Sequence, residues 1–198
     1  MTANLSLALP NMSPSARDLA LSQFDTPRLL ADRIARWANI KKGMSVLEPS
    51  AGLGTLALAA VDLGANVTCV EIDPVRCKYL EKIGLFTVNK DFLQATVIEH
   101  ELALMNSPYE NDQDLVHVLR ALHFAPRVVA LVRLAFVAGI ERFERLWGRH
   151  TLTRMAVMSG RPKFSGMSGS GKFDSCVVEI VRGKQSDTGK VEVEWWGS

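Results

Sequence analysis

Asn106-Ser107-Pro108-Tyr109 closes a short apolar run, Leu102 to Met105, and gathers two hydrogen-bond acceptors and an aromatic ring into four residues. The Asn106 carboxamide oxygen and the Ser107 carbonyl oxygen can accept from the same amino group. Such a pair favours electron density on a nitrogen whose lone pair is otherwise delocalised into a ring. It also stabilises the positive charge that develops as that nitrogen attacks. Tyr109 supplies a face on which a planar base can stack, and Pro108 biases Ser107 toward extended backbone. The implied chemistry is nucleophilic attack by a flat, amine-bearing substrate, achieved by positioning, with no metal or strong base. Alone, the tetrapeptide also reads as an ordinary strand-end turn; its place after a fourth strand favours function.

A second element lies upstream. Glu48-Pro49-Ser50-Ala51-Gly52-Leu53-Gly54 follows the apolar run Ser45-Val46-Leu47 and precedes a helical stretch. A glycine turn between a strand and a helix presents free backbone N–H groups and the positive end of the helix dipole to a ligand. Gly52 and Gly54 allow the close approach that a Cβ would block. The third glycine of the dinucleotide fingerprint is missing, so a pyrophosphate is not specifically implied. Glu71, nineteen residues beyond Gly52, ends the next apolar run and can accept two ribose hydroxyls. Asp91 ends the third, where a carboxylate can take an adenine amine and Phe92 can pack beside it. Singly, Glu71 reads as a solvated strand-end charge and Asp91 as a helix cap; in this order they read as a nucleoside site.

These groups need a scaffold that brings strand ends together. Strands are expected at 45–48, 67–71, 86–88, 102–106 and 128–134, and helices at 53–63, 74–83, 112–123 and 139–147. The alternation predicts an α/β fold, a Rossmann-like mostly parallel sheet with helices on both faces. Arg154 to Ser159 and Cys176 to Arg182, joined by a Gly/Ser-rich connection, predict an antiparallel C-terminal strand pair. Val191, Val193 and Trp195 alternate with charged residues as a candidate edge strand. Thr26 and Pro27 read as N-cap and first residue of a helix to Trp37, with Leu29, Leu30, Ile34 and Trp37 on one face. The expected organisation is an N-terminal leader, 1–22, and a single domain, 23–198.

The chain has 198 residues and a net charge of +2. Residues 1–114 balance to −4, residues 115–184 to +8 and the remainder to −2. The basic stretch includes Arg120, Arg127, Arg133, Arg142, Arg145, Arg149, Arg154, Arg161, Lys163 and Lys172. A nucleic-acid partner explains it, and so do solvated helix faces. Cys69, Cys77 and Cys176 lack metal-ligand spacing and read as core thiols. No apolar run reaches the roughly 18 residues of a membrane span, and no basic signal region opens the chain. A cytoplasmic protein without membrane or metal partners is expected. Gly166 to Lys172 imitates a phosphate loop, but Phe173 stands where a magnesium-binding hydroxyl belongs.

In order, Phe24-Asp25-Thr26-Pro27, the Glu48–Gly54 turn, Glu71, Asp91-Phe92 and Asn106-x-Pro108-Tyr109 resemble class I S-adenosylmethionine-dependent methyltransferases. Arg133-Leu134-x-Phe136, Gly139, Arg142, Ser159-x-Arg161-Pro162-x-Phe164 and Asp174-Ser175 are similar to small phage and prophage DNA adenine-N6 methyltransferases. The resemblance covers about residues 23–182. It implies S-adenosylmethionine as cofactor and adenine in DNA, more than RNA, as substrate. Phe24 and Thr26 would close over the methionine end, and Glu48, Ala51, Gly52 and Gly54 would form the floor. Glu71 would hold the ribose and Asp91 the adenine amine, with Phe92 beside it. Where that family has proline, this chain has Ser107, which keeps the carbonyl and loses the fixed φ. A base paired in a duplex must be flipped out to reach such a site. Phe164 is a candidate for its second face, or an anchor for the loop, while Arg161, Lys163 and Lys172 would meet phosphates. Methylation of RNA adenine or of a protein glutamine, and a non-catalytic cofactor-binding relative, are the alternatives.

Overall fold

The computed structural model describes residues 25–162, 173–183 and 190–197. In chain order these form α1 (Arg28–Trp37), β1 (Ser45–Glu48), α2 (Thr55–Asp62), β2 (Asn66–Glu71), α3 (Pro74–Lys82), β3 (Phe86–Asn89) and β4 (Leu102–Met105). There follow α4 (Gln113–Phe124), β5 (Arg127–Arg133), α5 (Ile140–Arg142), β6 (Thr151–Met158), β7 (Ser175–Val181) and β8 (Glu192–Trp196). Among the described residues, the eight strands share one sheet, in the order β3-β2-β1-β4-β5-β7-β6-β8. Strands β1 to β5 are parallel. β7 is antiparallel to both β5 and β6, and β8 runs parallel to β6 along the edge. This is the predicted Rossmann-like fold.

Alternation along the central strands builds its two apolar layers. Leu102 and Leu104 of β4, with Val129 and Leu131 of β5, pack against Ala31 and Ile34 of α1 and Leu56 of α2. Ala103, Met105, Val128, Ala130 and Val132 face the other way, against Leu115, Val118 and Leu122 of α4. Each large side chain buried there contributes about 1.5–3 kcal/mol, most of it offset by lost chain entropy.

Several local expectations are revised. Helix α1 begins one residue late, with Pro27 at its N-cap and no side-chain cap bond, because the Thr26 hydroxyl is turned to Asn106. The buried face of α1 is Ala31, Ile34 and Ala35, while Leu29 is 85% exposed. The helix expected at 139–147 is present from Ile140, but it starts as the short α5 and continues as a wider π-helix over Phe143–Trp147, where the Gly148 amide donates to the Phe143 carbonyl. The Trp147 indole donates to the Val137 carbonyl at 3.1 Å, which anchors that widening. In β8 the apolar residues Val193 and Trp195 are exposed; Trp196 is the buried one, edge-on to Trp37. Cys69, Cys77 and Cys176 are free and buried, and burial pushes the Cys77 thiol up to about 11 and Cys176 to about 12. The 1–22 leader and the Gly166–Lys172 stretch lie outside the described residues.

Candidate active site

β1 pairs with β2 on one side and β4 on the other, so the chain leaves their carboxyl ends toward opposite sides of the sheet. Open α/β sheets bind ligands at such a switch point. One cavity lies there, and its walls include Thr26, Glu48, Ala51, Gly52, Glu71 and the whole Asn106–Tyr109 turn. Asp25, Thr55 and Arg76 join them.

The glycine turn is shaped from two sides. Gly52 and Gly54 both have positive φ, +57° and +76°. A Cβ on Gly52 would stand 2.9 Å from Asp25 Oδ1; one on Gly54 would collide with Leu80 and Leu85 at 2.6 and 2.8 Å. Gly52 is therefore bare toward the cavity, whereas Gly54 is bare toward the core. Glu71 reaches back across the turn: Oε2 accepts from the Gly52 amide at 2.7 Å and Oε1 from the Asp73 amide at 2.8 Å.

At the end of β4, Asn106 Nδ2 donates to Thr26 Oγ1 at 3.1 Å, and the Tyr109 hydroxyl donates to Asn106 Oδ1. A carboxamide oxygen has two lone pairs, so Oδ1 can still accept a second hydrogen bond. Tyr109 is buried, which drives its phenol upward and keeps it a donor.

The cavity is acidic. Burial pushes the Glu48 carboxyl well above its usual range, opposed by the Ala57 amide and reinforced by the charges of Glu71 and Asp25. Burial raises Glu71 as well, against the pull of the Asp73 and Gly52 amides. Arg76 Nη1 meets Asp25 Oδ1 at 3.2 Å. Among the described residues, three buried atoms on these walls have no hydrogen-bond partner: Glu48 Oε2, Thr55 Oγ1 and Ser107 Oγ. Buried polar atoms are rarely left so.

Asp91, Phe92 and Arg161 are not among these wall residues. The Asp91 carboxylate accepts from the Leu93 amide at 2.9 Å and Gln94 Nε2 at 3.0 Å, capping its own turn. Phe92 is buried against His117 and Phe124. His117 is itself engaged with the Gln113 carbonyl at 2.8 Å. Arg161 pairs with Asp174 at 2.9 Å and borders a separate groove with Leu29 and Trp196. Phe24, Lys163, Phe164 and Lys172 lie outside the described residues. Part of the basic stretch is engaged internally: Arg127 and Arg154 converge on Glu179, while Arg133 and Arg142 converge on Asp114. Sequence reasoning missed Arg76, which no motif marks, and gave Asp25 no role although it lies within Phe24–Pro27.

A family model described as ribosomal RNA adenine dimethylase matches residues 17–198. The chain belongs to the ribosomal RNA adenine dimethylase family. A relative in Mycolicibacterium vanbaalenii, a ribosomal RNA small subunit methyltransferase A, is 32% identical over 148 residues, 68% of this chain and 46% of the relative. This dimethylase-family chain thus spans about half the length of the curated relatives it matches. Among solved structures, a candidate RNA methyltransferase from Pyrococcus horikoshii has a TM-score of 0.72 at 19% identity, covering 87% of this chain and 92% of that one. A dimethyladenosine transferase from Plasmodium falciparum has a TM-score of 0.57 at 20% identity, covering 80% and 62%. At such identities the likeness concerns the fold. The resemblance to phage and prophage DNA methyltransferases is not shown by these relatives.

The dimethylase family lies within the class I methyltransferases, and its cofactor is S-adenosylmethionine. The cavity suits that molecule. Its sulfonium and ammonium are cationic, three carboxyl groups surround the space, and the unpartnered Glu48 Oε2 and Thr55 Oγ1 need hydrogen-bonding partners there. Among the described residues no helix is long and apolar enough to cross a membrane, and no group of three His, Cys, Asp or Glu could hold a metal.

Proposed function

We propose that this chain methylates the exocyclic amine of adenine in RNA, with small-subunit ribosomal RNA the favoured substrate. One observation carries the reading: Asn106 and Ser107 share a cavity with Glu48, Gly52 and Glu71, so an amine-binding turn and a nucleoside-binding turn open into the same space. The choice of RNA over the DNA expected from sequence follows the family description and the relatives' names.

When bound, S-adenosylmethionine supplies an electrophilic methyl group. Glu71 would take the ribose hydroxyls, Glu48 and Thr26 would border the methionine end, and Ala51, Gly52 and Gly54 would form the floor. Asp91 and Phe92, beyond the end of β3, would meet the adenine edge. Asn106 Oδ1 and the Ser107 carbonyl would accept from the two N–H bonds of the target amine and stabilise it as it becomes positive. Thr26 fixes which way the carboxamide faces. Tyr109 would stack on the base and Pro108 would hold Ser107 extended. Phe24, Phe164, Lys163, Lys172 and Arg161 are carried forward as candidates for cofactor closure, base stacking and phosphate contact. Residues 23–198 would work as one catalytic domain.

Incubation with labelled cofactor and small-subunit ribosomal RNA, duplex DNA, single-stranded DNA or a glutamine peptide tests this. Label should appear in RNA and, after digestion, in N6-methylated or dimethylated adenosine. Label in DNA alone would restore the DNA reading. Cofactor binding without transfer to any of the four would leave a non-catalytic relative.

A further inference from the structure

Asn111 and Asp112, between the Asn106–Tyr109 turn and α4, both adopt left-handed backbone, with φ of 50° and 56°. Two consecutive residues with a Cβ do not stay there unless their surroundings over-determine it. The surroundings are specific. Arg142 Nη2 donates to Asp112 Oδ1 at 2.8 Å and to Asp114 Oδ1 at 3.2 Å. Arg133 Nη2 donates to the Tyr109 carbonyl at 2.7 Å and to Asp114 Oδ2 at 3.3 Å. Asp114, 1% exposed, thus joins two guanidinium groups that grip the turn and the strained pair behind it. Arg133 also lies 5.8 Å from the Tyr109 ring centre, and Arg142 5.3 Å from that of Phe136.

We propose that Asp114, Arg133 and Arg142 are positioning residues that hold the Asn106–Tyr109 turn in its methyl-accepting shape through the Tyr109 carbonyl and the left-handed Asn111–Asp112 link. The inference rests on the reading of that turn as catalytic. Its logic is mechanical. Asn106 and Tyr109 are hydrogen-bonded to each other, so a shift of the Tyr109 backbone moves the carboxamide oxygen. A displacement of about 1 Å at such an acceptor costs on the order of a hundredfold in rate. Neither arginine itself lines the cavity, and Arg133 meets it through Tyr109, on the side of the amine-binding turn, so the effect belongs in turnover and not in cofactor affinity.

The experiment uses the full chain with Arg142→Ala and Arg142→Lys, read by steady-state RNA methylation, cofactor calorimetry, thermal melting and amide hydrogen exchange over residues 106–112. For Arg142→Ala, kcat should fall about tenfold or more, cofactor affinity should hold, and exchange over 106–112 should accelerate. Arg142→Lys, which keeps the charge without the fork, should be intermediate and covers the case in which the alanine variant fails to fold. Asn111→Gly added to Arg142→Ala should recover part of kcat, because glycine accepts the left-handed backbone without a clamp. A lowered melting temperature with unchanged kcat and unchanged exchange would reduce the network to a structural tie and overturn the proposal. Should wild-type protein methylate no nucleic acid, the functional reading fails, and exchange over 106–112 alone judges the clamp.

Discussion

Asn106 at the end of β4 donates through its carboxamide nitrogen to the Thr26 hydroxyl, 80 residues earlier in the chain. This bond orients the amide: its nitrogen donates to Thr26, and its oxygen accepts from the Tyr109 hydroxyl. It also explains why Thr26 does not cap α1.

The first prediction follows directly. Thr26→Val preserves shape and removes the acceptor that Thr26 offers to the carboxamide nitrogen. Methyl transfer should slow about tenfold, the cost of roughly one neutral hydrogen bond, while Thr26→Ser should stay near wild type. Equal rates for Val and Ser, in a filter-binding assay with labelled cofactor, would show that this bond does not orient the site.

Asn106→Ala removes the acceptor altogether. Loss of one transition-state hydrogen-bonding group should lower kcat by about 10²–10³-fold, with the calorimetric affinity for S-adenosylmethionine unchanged. Parallel loss of cofactor binding would mean that Asn106 shapes the cofactor pocket and not the acceptor site.

Gly54→Ala tests packing. Its Cβ would face Leu80 and Leu85 at contact-breaking distances, from a left-handed residue. Strain and overpacking together should destabilise the fold by about 2–5 kcal/mol in urea denaturation. A loss under about 1 kcal/mol would mean that α3 yields easily, contrary to close-packed interiors.

Glu48 sets a pH dependence. Its folded pKa lies above the usual value of 4.5. A carboxyl raised in this way contributes its full stability below the unfolded value and loses it as pH rises through the folded one. Glu48→Gln should therefore gain stability over wild type progressively as pH is raised from 4.5, while binding S-adenosylmethionine more weakly. Urea midpoints measured across pH decide the first part and calorimetry the second. A stability difference that is flat with pH would place the Glu48 titration at its ordinary value.

Much of this was legible in the chain itself. The switch from strand-like to helix-like periodicity announced the parallel sheet, and the glycine turn and Asn106–Tyr109 were marked by residue types that only special backbone or chemistry requires. Asp91 and Phe92 show the limit of such reading. Their order along the chain matches a nucleoside site, but the bond from the Leu93 amide to the Asp91 carboxylate and the packing of Phe92 on His117 and Phe124 are announced by no motif. Four arginines carry the same lesson: Arg127, Arg133, Arg142 and Arg154 are in ion pairs that the sequence does not announce, because their partners Glu179 and Asp114 stand 19 to 52 residues away.

The amino-acid order by itself determined which segments form strands, where the chain turns on glycine, and which four residues could polarise an amine, since those depend on local backbone preference and side-chain chemistry. Folding alone decided which acidic groups share the cavity, that Asp25, Thr55 and Arg76 line it, and that Asp114 is bridged by two arginines. Those relationships depend on distances between residues far apart in the chain, and such distances exist only once the sheet order places β1 beside β4.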